Sequence, residues 1–212
     1  MEIMKLTYKN YFKKRKYLIS FIFSFVFLFV ALIINFYAGT YATKSASNPV
    51  TDIILSNIGV YDVDAYFIYG SFLFASLIAI LCFYRPNKIP FILKSIALFT
   101  IIRSIFITLT HLGPSPLQVI IQSDVLSKMS FGGDLFFSGH TGLPFLLALI
   151  FWDDKLIRYI FIAFSLMFAV VVLLAHLHYS IDVFAAFFIT YSIFHISEYL
   201  FKKDRDIFFE YK

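Results

Sequence analysis

The stretch "YLISFIFSFVFLFVALIINFY", residues 17–37, decides the fold class because it runs for 21 residues without a charge. About 20 apolar residues in an α-helix span the hydrocarbon core of a bilayer. The four residues before it, 13–16, are all basic. A basic start followed by an apolar run is also typical of a signal peptide, but signal cores have only about 7–15 apolar residues. We therefore expect an uncleaved first membrane helix.

The composition of the whole chain indicates an all-α, polytopic membrane protein. Of the 212 residues, 60% are hydrophobic, 21% are aromatic and only 15% are charged, whereas about a quarter of the residues of a soluble domain are charged. The single cysteine, Cys82, excludes an intramolecular disulfide. We expect a basic N-terminus (1–16), one membrane domain (17–201) and a short tail (202–212). The prediction is a bundle of six transmembrane helices at residues 17–37, 65–84, 91–110, 135–152, 156–177 and 180–201.

The positions of the basic residues predict the orientation of this bundle. With the N-terminus in the cytoplasm, fifteen lysines and arginines lie in cytoplasmic segments, and only Lys44 and Lys128 lie in outer loops. This bias follows the positive-inside rule and puts both termini in the cytoplasm. The net charge of +5 therefore reflects topology, and we expect no nucleic acid partner. The short chain and its Lys/Ile/Phe bias suggest a microbial plasma membrane.

The stretch "FGGDLFFSGHTGLPF", residues 131–145, places polar groups at the outer start of the fourth span. Ser138 is a candidate N-cap, and Gly139 allows close approach of the backbone to a ligand. A helix N-terminus suits a phosphate, and His140 could move a proton beside it. The alternative is an ordinary capped helix with an interfacial histidine.

The stretch "HLHYSID", residues 176–182, lies in the turn before the sixth span, on the same predicted face. His178 and Asp182 are four residues apart, so they share a helix face or, if Ser180 is the N-cap, approach across the first turn. A carboxylate bonded to one imidazole nitrogen makes the other a better nucleophile or base. The alternative is an interfacial pair.

Arg103 lies about 11 Å inside the third span, at ~1.5 Å per residue, and an arginine at that depth suggests a functional role. It could hold a phosphate bidentately, or it could pair with a carboxylate of the outer loops. The remaining histidines are weaker candidates: we interpret His111 as interfacial, His176 as flanking the site, and His195 as too near the cytoplasmic end. The candidate carboxylate partners of Arg103 are Asp52, Asp64 and Asp134.

The two histidine motifs resemble those of the sphingomyelin synthase branch of the type-2 phosphatidic acid phosphatase superfamily. Residues 132–141, "GGDLFFSGHT", are similar to C-G-D-x-x-x-S-G-H-T, and residues 176–182 are similar to H-x-H-Y-T-x-D. Weaker likenesses cover "NPVTDIIL" (48–55) and "IIRSIFITLTHLGPSP" (101–116). Gly132 replaces the cysteine of the synthases, and Ser180 replaces a threonine.

The resemblance implies a six-span lipid phosphotransferase with an outward-facing site and neither cofactor nor metal. His178 would be the nucleophile, Asp182 would orient it, and His140 would carry the proton. From the residues themselves, we expect Arg103, Ser138 and Gly139 to hold the phosphate. The donor would be a phospholipid and the acceptor a lipid such as ceramide or diacylglycerol.

The same residues leave other functions open. With water as acceptor they would make a lipid phosphatase or a phospholipase C. Two histidines and a carboxylate (His140, His178 and Asp182) could instead bind a metal ion. A non-catalytic membrane carrier or lipid-binding protein is a further alternative.

Overall fold

The computed structural model describes residues 10–119 and 133–209. Within these residues the chain is helical with no strand, and short 3₁₀ turns lie at Leu55–Asn57 and Pro86–Lys88. Five helices are long and apolar enough to cross a membrane, so the prediction of an all-α polytopic membrane protein is confirmed. In chain order the helices are α1 (Arg15–Lys44), α2 (Asp64–Tyr84), α3 (Ile89–Leu109), α4 (Gly139–Ile150), α5 (Lys155–Leu174), α6 (Ser180–Leu200) and α7 (Lys202–Phe209).

The fourth predicted span, 135–152, differs from the structure in length. Helix α4 has 12 residues, which is about 18 Å at ~1.5 Å per residue, against a hydrocarbon core of about 30 Å. The helix begins late because the preceding carbonyl groups, those of Asp134 and Phe137, accept hydrogen bonds from the Arg103 side chain. Apolar composition alone does not reveal this competition for the backbone.

The first helix is longer than the apolar run that predicted it, because α1 continues from Tyr37 to Lys44. The extra turns are stabilised by packing: Ala38 and Ala42 are buried against Ile107 of α3. Small residues at these positions let the two helices approach closely, which is a common device in membrane bundles.

The short helix α4 lies at the centre of the bundle. It packs against α3, α5 and α6, while α1 packs on α3 and α2 packs on α5. Most of its apolar residues are buried, with Leu146, Leu147 and Ile150 no more than 1% exposed. The peripheral helices instead expose many large apolar side chains, as a lipid-facing surface requires.

One end of the bundle, called the site end below, carries Ser138 and Ser180; the other, the far end, carries α7. The predicted tail folds back there as a helix. The Lys94 ammonium group, which the charge count assigned to a cytoplasmic segment, is buried and donates to Asp204 Oδ2 and Ser20 Oγ, each at 2.6 Å. Helix α7 thereby joins α1 to α3.

Candidate active site

The two histidine motifs meet at the site end through their backbones. The Ser138 N–H donates to the Asp182 carbonyl oxygen at 3.0 Å. The Ser138 side chain accepts a bond from the Thr141 N–H at 3.3 Å, so the prediction that Ser138 caps the fourth helix is confirmed. The start of α4 therefore lies directly against the first turn of α6.

Of the two alternatives for this helix, the structure has the later start, at Ser180, but its N-cap is Tyr179 and not Ser180. The Asp182 carboxylate reaches back to accept the Tyr179 N–H at 2.9 Å, which is the N3-to-N-cap half of a capping box. The Ser180 N–H instead donates to Asp52 Oδ2 at 2.6 Å. Two carboxylates thus satisfy consecutive N–H groups at the start of this helix.

His178 and Asp182 face each other at the start of α6. His178 Nδ1 lies 3.6 Å from Asp182 Oδ2, and the two side chains are 7% and 0% exposed. The carboxylate faces Nδ1, so Nε2 is the nitrogen that remains for chemistry. The 3.6 Å separation is longer than a hydrogen bond, and His178 Nδ1 has no hydrogen-bond partner among the described residues. A shorter contact between these two groups is what would fix the tautomer of the imidazole.

His140 lies in the first turn of α4, with its ring partly exposed. The ring packs against Phe67 of α2 and Phe168 of α5, at centroid distances of 4.3 and 5.6 Å. Its neighbour Gly139 lies against Arg103, and Ser138 one residue earlier bonds the Asp182 carbonyl oxygen. The structure therefore brings His140, His178, Asp182 and Arg103 to one place.

Arg103 pairs with Asp134, one of the three carboxylates that the sequence offered. Its Nη1 lies 3.1 Å from Asp134 Oδ2, its Nη2 bonds the Asp134 carbonyl oxygen at 2.5 Å, and its Nε bonds the Phe137 carbonyl oxygen at 2.9 Å. A Cβ on Gly139 would lie 3.2 Å from Arg103 Nε. Gly139 therefore makes room for this guanidinium group.

Asp52 and Tyr179 are site-end residues whose roles the sequence reasoning missed. The sequence predicted Asp52 as a candidate partner of Arg103, whereas the Asp52 carboxylate accepts the Ser180 N–H. The Tyr179 hydroxyl donates to the Gly113 carbonyl oxygen at 2.8 Å and accepts from the Val50 N–H at 3.2 Å. The available signal was the position of Asp52 two residues before Ile54, a spacing that favours an Asx turn.

The other three histidines have different surroundings. His111 packs against Tyr41 of α1 at a centroid distance of 5.4 Å. His195 faces Glu198 at 3.2 Å in the far half of α6, away from the site as expected. His176 has a φ of 53° and is 2% exposed, and neither of its ring nitrogens has a hydrogen-bond partner among the described residues.

A metal site was the alternative for the two histidines and the carboxylate. Among residues 10–119 and 133–209, no three His, Cys, Asp or Glu side chains converge as metal ligands would. His178 Nδ1 faces the carboxylate of Asp182, so these two groups are oriented towards each other.

Comparison with known proteins bears on the same segment. Residues 132–199 match the family model "PAP2 superfamily C-terminal". The PAP2 match covers both histidine motifs and about a third of the chain. It supports the type-2 phosphatidic acid phosphatase superfamily, whose members are membrane phosphatases and lipid phosphotransferases acting on phospholipids. Searches of curated proteins and of solved structures found no match. Gly132, the first residue of the PAP2 match, lies outside the described residues.

Proposed function

We propose that this protein is an integral-membrane lipid phosphotransferase of the sphingomyelin synthase type, working through a phosphohistidine intermediate. The observation that carries the proposal is the Ser138–Asp182 hydrogen bond of 3.0 Å. It holds the helix start that bears His140 beside the His178–Asp182 pair. A nucleophile, its orienting acid and a second histidine are the groups that two-step phosphoryl transfer requires.

In the first step, Nε2 of His178 attacks the phosphorus of a phospholipid. The bond from phosphorus to the diacylglycerol oxygen breaks, and protonated His140 gives its proton to that oxygen. The imidazole becomes cationic as the N–P bond forms. Asp182 stabilises that charge because its Oδ2 lies 3.6 Å from Nδ1.

In the second step, an acceptor hydroxyl gives its proton to His140 while its oxygen attacks the phosphorus. The N–P bond breaks and its electron pair returns to His178. The acceptor is a lipid hydroxyl, such as that of ceramide or diacylglycerol, in the transferase. If water takes this place, the same residues make a phosphatase or a phospholipase C.

The phosphate would lie at the first turn of α4. The first N–H groups of a helix have no acceptor within the helix, and they carry partial positive charge. The Thr141 N–H goes to Ser138, so the N–H groups of Gly139 and His140 are the candidates for the phosphate oxygens. Each terminal nitrogen of Arg103 also carries a second N–H beyond its bond to Asp134.

The orientation of the site towards the outside belongs to the same proposal, and it rests on the charge count of fifteen against two. It can be tested with an impermeant thiol reagent on intact cells, in a Cys82→Ser background. Ile53→Cys, at a residue that is 80% exposed at the site end, should be labelled. Lys202→Cys, exposed at the far end, should be labelled only after the cells are opened. If Lys202→Cys were labelled on intact cells and Ile53→Cys only after opening, the orientation would be the opposite one, with the site in the cytoplasm.

The activity can be tested with the purified protein and headgroup-labelled phosphatidylcholine, phosphatidylethanolamine or phosphatidate. Transfer of label to added ceramide or diacylglycerol identifies the phosphotransferase, and release of water-soluble label identifies a phosphatase or a phospholipase C. His178→Ala and His140→Ala should each lose roughly 10³-fold or more in kcat. His195→Ala is the matched control. Absence of turnover for every lipid would favour a carrier or lipid-binding protein.

The covalent intermediate can be trapped with a nitrophenyl phosphodiester. Nitrophenolate leaves without needing a proton, so His140→Ala should still complete the first step with this compound and then stall. The expected result is a stoichiometric burst of nitrophenolate and an acid-labile label on His178. A burst without label on this residue would refute His178 as the nucleophile.

A further inference from the structure

One carboxylate of the first long loop binds the start of α6, although 128 positions separate the two residues. Asp52 Oδ2 accepts the Ser180 N–H at 2.6 Å. Its other oxygen, Oδ1, accepts the N–H groups of Ile54 and Leu55 at 2.8 and 3.0 Å. Asp52 therefore joins a turn of its own loop to the helix that begins two residues after His178.

Packing holds this turn in place beside both histidine motifs. Leu55, which follows in the turn, is buried with Leu135 of the loop before α4 and with Tyr179. These three residues are 7%, 3% and 3% exposed. These three buried side chains hold the turn that carries Asp52 against the start of α6.

The bond removes a competitor for the Asp182 carboxylate. Asp182 Oδ2 already accepts the Tyr179 N–H at 2.9 Å and faces His178 Nδ1 at 3.6 Å. The Ser180 N–H is the next donor along the chain, at the positive end of the same helix. Without Asp52, this donor would have to find another acceptor. Asp182 Oδ1 has no hydrogen-bond partner among the described residues, and turning it towards the Ser180 N–H would take Oδ2 away from His178.

We propose that Asp52 is a positioning residue for phosphoryl transfer, because by accepting the Ser180 N–H it leaves the Asp182 carboxylate directed at His178. This inference rests on the proposed function. Asp52 touches neither the substrate phosphorus nor the imidazole in this scheme. It acts on the nucleophile only through the start of α6.

Asp52 is suited to this role because it is ionised at neutral pH. Burial alone would raise its pKa, but the hydrogen bonds from Leu55, Ser180 and Ile54 outweigh that effect and lower the pKa below its ordinary value. An ionised carboxylate can accept donors at both oxygens simultaneously. A residue with one acceptor atom can stabilise the turn or the helix start, but not both.

The test variants separate these two bonds. Asp52→Ser keeps a hydroxyl that can cap the local turn but lacks the second oxygen. Ser180→Pro deletes the N–H itself, and proline is favoured at the first position of a helix. Tyr179, with φ −74° and ψ 158°, already has the extended backbone that a following proline requires.

We expect Asp52→Ser to lower kcat roughly 10–100-fold, the size of effect that follows from misplacing a reacting group by about an ångström. KM should stay within about twofold. The double variant Asp52→Ser/Ser180→Pro, which lacks both donor and acceptor, should recover kcat to within about threefold of the wild type. Ser180→Ala, which keeps the N–H, should not rescue Asp52→Ser. Asp62→Ser, at an exposed position of the same loop, is the control for loss of charge.

A second measurement separates failure of this inference from failure of the proposed function. The rate at which diethyl pyrocarbonate modifies His178, located by mass spectrometry, reports the reactivity of the imidazole without any substrate. It should fall in Asp52→Ser and recover in the double variant, even if the wild type turns over no lipid. An unchanged kcat and modification rate in Asp52→Ser, or a double variant as impaired as the single one, would overturn the role of Asp52.

Discussion

Ser138 donates its backbone N–H to the carbonyl oxygen of Asp182 at 3.0 Å, and this bond connects two helix starts that are 44 positions apart in the sequence. Ser138 caps the helix that carries His140. Asp182 is the N3 residue of α6, where its carboxylate accepts the Tyr179 N–H, and it also faces His178. The distance between the two histidines is therefore determined by helix capping, which short side chains and backbone groups provide.

Replacing Asp182 by asparagine separates the structural role of this residue from its catalytic role. The amide oxygen of the new side chain can still accept the Tyr179 N–H, so the thermal unfolding temperature should change by only a few degrees. The amide cannot stabilise a cationic His178, and kcat should fall by up to about 10⁴-fold. Asp154→Asn, at the cap of α5, is the matched control and should keep kcat within about twofold. Equal loss of stability and activity in Asp182→Asn would mean that Asp182 acts only as a cap.

Removing Arg103 should release the loop before α4. Its guanidinium group holds three acceptors of Asp134 and Phe137, and breaking a buried ion pair costs roughly 3–5 kcal/mol. Arg103→Lys should also lose most of this stability, because one ammonium group cannot reach all three oxygens. Thermal unfolding in detergent measures the effect.

Asp134→Asn is the milder counterpart of that change. It leaves both carbonyl acceptors in place, and its cost should be only about 1–2 kcal/mol. If Asp134→Asn destabilised the protein as much as Arg103→Ala, the hydrogen bonds from Arg103 to the Asp134 and Phe137 carbonyl oxygens would contribute little to stability.

Gly142 tests the packing of α4 against α6 and α3. A Cβ at this position would lie 2.8 Å from Thr190 Oγ1 and 2.9 Å from the Phe99 ring. Gly142→Ala should therefore destabilise the protein by about 1–3 kcal/mol through overpacking. Thr190→Ala should recover part of this loss in the double variant, as a melting-temperature cycle would show. Strict additivity of the two changes would contradict the contact.

The buried pair of Lys94 and Asp204 should show a strong asymmetry between single and double replacements. Lys94→Met or Asp204→Leu alone leaves one buried charge without its partner, and each should cost roughly 3–5 kcal/mol. The double variant Lys94→Met/Asp204→Leu removes both charges and should regain most of this stability. Thermal unfolding of the three proteins measures the cycle. A double variant that is less stable than either single one would show that the two charges do not compensate each other.

The apolar pattern of the sequence predicted the bounds of a long membrane helix well. It misplaced a helix start where a side chain binds the backbone carbonyl groups. Residues 65–84 were predicted within one position of α2 because apolar composition alone decides that span. The start of α4 was misplaced because Arg103 binds the carbonyl groups of the loop, and one sequence does not show which acceptors a buried arginine selects. The length of α1 depended on its packing against Ile107, which is a tertiary effect.

The candidate site divides in the same way. The spacing of His178 and Asp182 and the cap at Ser138 are local, and both were readable from a few neighbouring residues. The bond between Asp52 and Ser180 spans 128 positions, and no local pattern connects them. The N–H groups of Tyr179 and Ser180 at the start of α6 each bond a carboxylate. From the local sequence only Asp182 could be predicted as one of these two acceptors.

The far-end pair also constrains the order in which this protein can be assembled. Asp204, the buried partner of Lys94, follows it by 110 positions and is therefore synthesised later. Until residue 204 leaves the ribosome, α1 and α3 must coexist in the membrane with an ammonium group that lacks this counter-ion. Helix α7 is synthesised after α1 and α3, so it completes a contact between two helices that entered the membrane earlier.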